Sequence, residues 1–172
     1  EDKNFYHHAG FDPMGIAAAI YQASQGDRLR GASTITQQVM KNFLLTGDRS
    51  GERKIKEIIL ATRLENTLTK DKILELYLNE IFLGQRAYGF AAAAQIYFGK
   101  PLEQLSLAQN AMLAGLPQNP GYANPVANFQ RATQRQRVVL ERMRVTGVID
   151  EAQLAAARAE KQLGERGLGG RF

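Results

Sequence analysis

The spacing of apolar residues constrains the fold most strongly, because it follows the period of an α-helix through nearly the whole chain. After Asp12-Pro13, where a capping side chain precedes a proline, Ile16, Ile20 and neighbouring alanines recur at helical spacing until Gly26. No alternating strand pattern of useful length is present. The sequence therefore predicts a mainly α fold, with helices over residues 13–25, 34–45, 52–67, 70–82, 88–97, 106–114, 129–146 and 150–163.

The chain length of 172 residues favours one domain. We expect a single compact helical domain over residues 1–163, followed by a flexible C-terminal end over residues 164–172. The longest run of apolar residues and glycine, residues 87–94, falls well short of the roughly 18 residues that a membrane-spanning helix needs. We therefore expect the chain to behave as a soluble fragment.

The charge balance points to an anionic partner. Lysine and arginine number 22 against 17 aspartate and glutamate, which leaves a formal charge of +5. Cysteine is absent and only two histidines are present, so disulfides, thiolate metal sites and cysteine nucleophiles are excluded. A nucleic acid, an acidic membrane or a phosphorylated substrate would each fit this balance.

A cluster of polar and aromatic residues stands at the head of the chain. Glu1, Asp2, His7 and His8 precede the helix start at Asp12-Pro13. Such a cluster can raise the pKa of a carboxylate against apolar rings or orient it through a hydrogen bond. A capped and solvated chain start is the simpler alternative.

A second polar segment follows at residues 30–41. Ser33 and Thr34 stand beside a predicted helix N-terminus, and Thr34 with Gln37 forms a capping-box pattern. Gln37, Gln38 and Lys41 are expected to share one helix face, which would suit sugar hydroxyls and pyrophosphate oxygens. An ordinary cap followed by exposed polar residues is about equally compatible with the pattern.

The third segment places a carboxylate among basic residues. Helical geometry turns Glu57 away from the apolar stripe of Ile55, Ile58 and Ile59, one turn from Arg53. In a structural interpretation, Arg53 and Glu57 form an exposed pair that contributes about 0.3–0.5 kcal/mol. In a functional interpretation, Glu57 stays ionised in a cluster that binds a multiply charged anion. The members of this cluster are Arg49, Arg53, Lys54 and Lys56.

These segments, in this order, resemble the glycosyltransferase domain of class A penicillin-binding proteins, the bifunctional peptidoglycan synthases. The family patterns are matched at residues 1–10, 31–38, 53–57 and 70–79, and weaker similarity continues to residue 149. Gln109 departs from the glutamate that is common at its position. Family members also carry a membrane-spanning helix upstream and a transpeptidase domain downstream, so we expect this chain to be part of a longer protein.

The resemblance implies a lysozyme-like fold and a reaction. Lipid II is polymerised into β-1,4-linked glycan strands, with inversion and release of undecaprenyl pyrophosphate. Glu1 would be the general base, and Glu57 would support the pyrophosphate region, with a divalent cation, magnesium by preference, whose ligands the sequence does not define. The remaining residues implied are Ser33, Thr34, Gln37 and Gln38 on the donor side, and Lys41 and Arg49 at the pyrophosphate. Arg53 and Lys54 of the basic cluster are further substrate-binding candidates.

The same resemblance implies partners and a location. The partners would be lipid II, the growing lipid-linked glycan chain, the membrane surface and the transpeptidase domain of the full-length protein. The location would be the extracytoplasmic side of the bacterial cytoplasmic membrane. The excess positive charge agrees with docking on anionic head groups, at about 1 kcal/mol for each well-placed basic residue.

The sequence leaves two alternative functions to consider. A glycan-cleaving enzyme of similar fold would use Glu1 as an acid and release sugars from finished peptidoglycan. A basic nucleic-acid-binding module is disfavoured, because its basic residues would form one stripe, whereas Arg131 and Arg137 lie far along the chain from Arg49. We therefore expect no nucleic-acid partner.

Overall fold

The structure is a computed structural model that describes residues 1–25, 32–44 and 51–160. Within these residues the backbone is mainly helical, and the only strand-like pairing is an isolated bridge between Phe82 and Tyr88. The prediction of a mainly α fold is confirmed. The helices are α1 Pro13–Ser24, α2 Ile35–Leu44, α3 Gly51–Thr67, α4 Lys70–Glu80, α5 Phe90–Phe98, α6 Leu107–Ala114, α7 Phe129–Val145 and α8 Glu151–Ala159.

The chain divides into two compact units, the first from Glu1 to Glu80 and the second from Ile81 onward. In the first unit, α2 packs against both α3 and α4. Val39 of α2, Ala61 of α3 and Ile73 of α4 are almost completely buried. Burial of such apolar side chains is the main favourable term that holds three short helices together.

The second unit is built on α6, α7 and α8. Ala108 and Ala111 of α6 pack with Leu140 of α7 and Leu154 of α8 in one apolar cluster. The small alanines let the helices approach closely, and the leucines fill the space between them. Among the described helices of both units, none has the length and apolar character to cross a bilayer.

The helix starts agree closely with the sequence signals. Asp12 accepts a hydrogen bond from the Met14 N–H, which caps α1. Thr34 and Gln37 exchange two hydrogen bonds at the start of α2, and Asp150 and Gln153 do the same at α8. The predicted capping boxes are therefore confirmed.

Two helix ends differ from the predictions. The fourth helix ends at Glu80 rather than residue 82, because Ile81 and Gly89 pair across a turn and Phe82 joins the bridge with Tyr88. The last helix ends at Ala159 rather than residue 163, because Glu160 has an extended backbone. The flexible end predicted at residues 164–172 lies outside the described residues.

Two predicted faces are also corrected. On α3, Ile55 is 61% exposed and Glu57 only 3%, so the carboxylate faces the interior and the isoleucine faces solvent. On α5, Ala93 and Tyr97 are buried but Ile96 is exposed, so this helix is not buried all round. In both helices, packing against neighbouring elements selects a face that the apolar pattern does not single out.

Candidate active site

A cavity of about 130 Å³ opens in the first unit, where the head of the chain meets the segment before α2. Carboxylates and hydroxyls line it together, so the cavity is suited to a polar ligand. Glu1 thus lies in the same cavity as Ser33 and Thr34, which belong to a separate segment of the sequence. The lining residues are Glu1, Asp2, Lys3, Asp12, Gly15, Ala32, Ser33 and Thr34.

The head of the chain is held in place by Asp2. Its Oδ2 atom accepts a hydrogen bond from the Ile35 N–H at 3.0 Å, at the first turn of α2, and lies 2.8 Å from His8 Nε2. A carboxylate is well placed there, because the N-terminus of a helix presents free N–H groups and a partial positive charge. Glu1 is therefore attached to a residue with a defined position.

The first turn of α1 supplies another wall of the cavity. Asp12 caps this helix and accepts a hydrogen bond from the Asn4 side chain at 2.9 Å. Hydrogen bonds from the Gly15 N–H and from Asn4 lower the pKa of the Asp12 carboxyl. The cap thus joins the head of the chain to α1 and adds a carboxylate to the cavity.

A lysine bridges the cavity wall to the buried carboxylate of α3. Lys54 Nζ donates to Ser33 Oγ and to Glu57 Oε1, both at 2.6 Å. Glu57 is buried while Lys54 remains half exposed. The Lys54 ammonium group therefore compensates the buried negative charge of Glu57 and is still accessible to solvent. Positive charge therefore stands beside the hydroxyl that lines the cavity.

Thr34 and Gln37 are occupied in holding the turn before α2. The Gln37 Oε1 atom accepts from the Thr34 N–H at 2.8 Å, and Thr34 Oγ1 donates to the Gly10 carbonyl oxygen at 2.8 Å. Gln37 is buried whereas Lys41 is exposed, so the two side chains do not form the common ligand-binding face that the sequence predicts. The Gln37 side-chain amide supports the turn that carries the cavity-lining residue Thr34.

The other predicted site residues take different positions. Gln38 is partly buried, Lys41 is exposed on the last turn of α2, and Arg53 is partly buried beside Lys54 on α3. These three are not among the residues that line the cavity. Arg49 lies outside the described residues.

The described residues do not fit a protein-built metal centre. They contain no group of three or more histidine, aspartate or glutamate side chains placed to hold a metal ion. One of the two Glu57 carboxylate oxygens, Oε1, already contacts the Lys54 ammonium group. Magnesium therefore stays a prediction, and no chemical step is derived through it.

Several residues around this site were not predicted from the sequence as functional candidates. Asp2 and His8 stood out only as members of a polar cluster, and Asp12 only as a helix cap. Glu65 and Lys70, which contact His8 from α3 and α4, were assigned no role. The sequence signal for these two residues is a charged side chain next to helix positions that are expected to be buried. Charged residues are rarely buried unless they are paired, so this pattern indicates an ion pair.

Comparison with known proteins identifies the class. A model of the transglycosylase family matches residues 1–144, and the chain belongs to this family of glycosyl-transferring enzymes. The match includes all the site residues described above.

Relatives of this chain include penicillin-binding proteins 1A. That of Escherichia coli (strain K12) is 52% identical over 161 residues, covering 93% of this chain and 19% of that protein. That of Vibrio cholerae is 49% identical over 164 residues, covering 95% of this chain and 20% of that protein. The chain thus spans about a fifth of the length of these curated relatives. The resemblance to class A penicillin-binding proteins is confirmed.

A solved structure gives the same assignment. The crystal structure of penicillin-binding protein 1A from Haemophilus influenzae matches with a TM-score of 0.54 and 37% sequence identity. The match covers 74% of this chain and 16% of that one.

Proposed function

We propose that this chain polymerises lipid II into β-1,4-linked glycan strands, with inversion and release of undecaprenyl pyrophosphate, during bacterial cell wall biogenesis. The observation that carries this proposal is the cavity shared by Glu1 and Ser33, with Lys54 bridging Ser33 to Glu57. A carboxylate that can take a proton and cations that can receive an anionic leaving group are the two requirements of this reaction.

In the proposed step, the Glu1 carboxylate takes the proton from the 4-hydroxyl of the acceptor sugar. The oxygen forms a bond to the anomeric carbon of the lipid-linked donor chain. The bond from that carbon to the pyrophosphate oxygen breaks, and its electron pair leaves with undecaprenyl pyrophosphate. Attack on the face opposite the leaving group inverts the anomeric configuration.

The leaving group explains why a single base is sufficient. Pyrophosphate departs as a stable anion and needs positive charge more than a proton donor. Hydrolysis of a glycosidic bond expels an alkoxide and usually needs a second carboxyl group as an acid. We propose that Lys54 binds the pyrophosphate together with Lys41, Arg49 and Arg53, and that Glu57 holds Lys54 in place.

The donor side would be formed by the segment before α2 and by its first turns. Ser33 lines the cavity and would contact the sugar-diphosphate directly, whereas Thr34 lines the cavity but uses its hydroxyl and its N–H within the turn. Gln37 would act by holding the turn, since its amide is used in the capping box. Gln38 would form the remainder of the donor side. A requirement for magnesium would be tested by measuring polymerisation with and without the ion.

We propose that the first unit works against the membrane surface, on the extracytoplasmic side, as part of a longer protein that includes a transpeptidase domain. Support for membrane contact comes from α1, which carries no charged side chain and exposes Met14, Ile20 and Tyr21. A group of exposed apolar side chains on one helix is typical of surfaces that contact a membrane.

The test is polymer formation from lipid II by the chain and by its Glu1→Gln variant. We expect the parent to form glycan polymer and Glu1→Gln to lose about 10²–10⁴-fold in rate, equivalent to about 3–5 kcal/mol of barrier. Glu103→Gln, a matched change at an exposed glutamate in the second unit, should retain the parental rate.

Incubation with purified sacculi tests the alternative function, cleavage of finished peptidoglycan. Release of soluble sugars from sacculi, without polymer from lipid II, would identify a glycan-cleaving enzyme and contradict the proposal. A Glu1→Gln variant that polymerises at the parental rate would contradict the assignment of the base.

A further inference from the structure

Outside the cavity, the first unit buries an ion pair that the proposed reaction does not use. Lys70 Nζ, at the start of α4, lies 2.7 Å from Glu65 Oε1 of α3, and the Glu65 side chain is only 7% exposed. The same Glu65 oxygen accepts a hydrogen bond from Thr36 Oγ1 of α2 at 2.6 Å. One carboxylate oxygen therefore connects α2, α3 and α4.

The ion pair also contacts the head of the chain. Lys70 Nζ lies 3.5 Å from His8 Nδ1 and 4.6 Å from the centre of the Phe5 ring. Phe5 and the His8 side chain are both buried. An ammonium group over an aromatic face is attracted by the ring electrons, so Lys70 has a defined position in this arrangement.

These contacts determine which nitrogen of His8 carries the proton. The Gly10 N–H points at Nδ1 from 3.2 Å, and a backbone N–H can only donate. The Lys70 ammonium group is likewise a donor. Nδ1 must therefore accept, and the imidazole proton lies on Nε2, where it donates to Asp2 Oδ2 at 2.8 Å.

Stability alone is a weak reason to bury such a pair. The cost of removing two charges from water often exceeds their attraction, and well-packed apolar replacements are frequently as stable. What an ion pair adds is direction, because each of its hydrogen bonds has a required geometry. Here the directed contacts run from Glu65 through Lys70 and His8 to Asp2, the residue next to the proposed base.

We propose that Lys70 and Glu65 are positioning residues for glycosyl transfer. They hold the His8 ring so that its Nε2–H donates to Asp2, and Asp2 in turn fixes the backbone that carries Glu1. This inference rests on the proposed function, because it assigns the network to the orientation of the base. It concerns the rate of the chemical step rather than the binding of lipid II.

The experiment compares the parent with the double variant Lys70→Met, Glu65→Gln, which removes both charges and so leaves no buried charge unpaired. We expect the double variant to fold with near-parental stability in urea. Its kcat for polymerisation should fall about 10- to 100-fold, since a misplacement of about 1 Å at a reacting group can cost that much, while KM for lipid II stays within about twofold. The control is Lys72→Met, Glu75→Gln, an exposed pair on α4 at 2.9 Å, which should leave both constants unchanged.

Nitrogen NMR of the imidazole rings provides a second measurement that does not depend on activity. In the parent, His8 should appear as one tautomer with its proton on Nε2, and this proton should exchange faster with water in the double variant. His7, the other histidine, is the internal reference. Parental kcat in the double variant, or a His8 signal with unaltered tautomer and exchange, would overturn the positioning role. Absence of polymer from the parent would instead overturn the proposed function.

Discussion

Among single residues, Glu57 has the position with the clearest chemical consequence. It is a buried carboxylate with a half-exposed lysine as its partner, and the same lysine reaches Ser33 on the cavity wall. We therefore expect the carboxylate to hold a positive charge in place rather than to act on the substrate itself. Its removal should move the ammonium group of Lys54 away from Ser33.

We predict that Glu57→Gln lowers the rate of polymerisation by about 10- to 100-fold, less than the loss expected for Glu1→Gln, because the cation is displaced but still present. The fold should be retained, since Lys54 can turn into solvent. Steady-state rates with lipid II measure the effect. Glu52→Gln is the matched control, because Glu52 lies on the same helix in an exposed pair with Lys56. Equal rates for the two variants would contradict the role of Glu57.

At the scale of elements, the site depends on how closely the head of the chain approaches α3. Gly10 has a φ of +101°, and a Cβ at this position would lie 2.8 Å from the backbone of Ala61 and Thr62. Its carbonyl oxygen accepts from Thr34 and its N–H donates to His8. No side chain can be accommodated without moving the backbone of one element.

We predict that Gly10→Ala destabilises the protein by more than about 3 kcal/mol, the sum of left-handed strain and backbone displacement. Gly147→Ala is the comparison, because Gly147 also has a positive φ, of +76°, but a Cβ there would meet nothing within 4 Å. It should cost only about 1–2 kcal/mol. Urea unfolding measures both free energies of unfolding. Similar losses of stability in the two variants would show that the close approach of Gly10 to α3 does not contribute to the cost.

The exposed apolar face of α1 is the second element-scale feature. Met14, Ile20 and Tyr21 are between 60% and 73% exposed, on a helix without charged residues. We predict that replacing all three with serine weakens binding to anionic lipid vesicles by at least about tenfold, because each side chain loses apolar area that lipid would cover. Vesicle co-sedimentation measures this affinity.

A triple serine variant of Val138, Val145 and Val148 is the matched control, since these residues of the second unit are also exposed. Its vesicle binding should equal that of the parent. If both triple variants bind as the parent does, α1 is not the membrane-contacting element.

For the molecule as a whole, buried tyrosines tie stability to pH. Burial raises the pKa of Tyr97 to about 12, and its hydroxyl donates to the Leu83 carbonyl oxygen at 2.6 Å. Burial, with smaller effects from the charges of Glu1 and Asp2, raises the pKa of Tyr77 well above its usual 10. Both phenols keep their protons in the folded state at a pH where the unfolded chain has lost them.

We predict that the contribution of these tyrosines to the free energy of unfolding is constant below pH 10 and falls between pH 10 and 12. There the folded state holds more protons than the unfolded state, so each tyrosine lowers the free energy of unfolding by up to about 1.4 kcal/mol per pH unit. Urea unfolding of the parent and of Tyr97→Phe across this range isolates one contribution. The variant is less stable at neutral pH, through the lost hydrogen bond, and the difference should narrow above pH 10. A constant difference would contradict the prediction.

Local patterns of residue type and spacing are enough to predict the helices, their starts and the family. Asp12, Thr34 with Gln37, and Asp150 with Gln153 cap the helices as predicted, since a cap needs only residues within one turn. The four ordered motifs likewise identified the family from residue types and spacing alone. The same motifs predict Glu1 and Ser33 as site residues, and both line the cavity.

Which helix faces are buried and which charged side chains pair depends instead on long-range packing. Ile55 faces solvent and Glu57 the interior, because α3 packs against α2 through a face that its apolar pattern does not mark. The contact between His8 and Lys70 joins residues 62 positions apart in the chain. Such contacts depend on the packing of α2, α3 and α4 around the head of the chain, and hydrophobic periodicity does not encode which helix meets which.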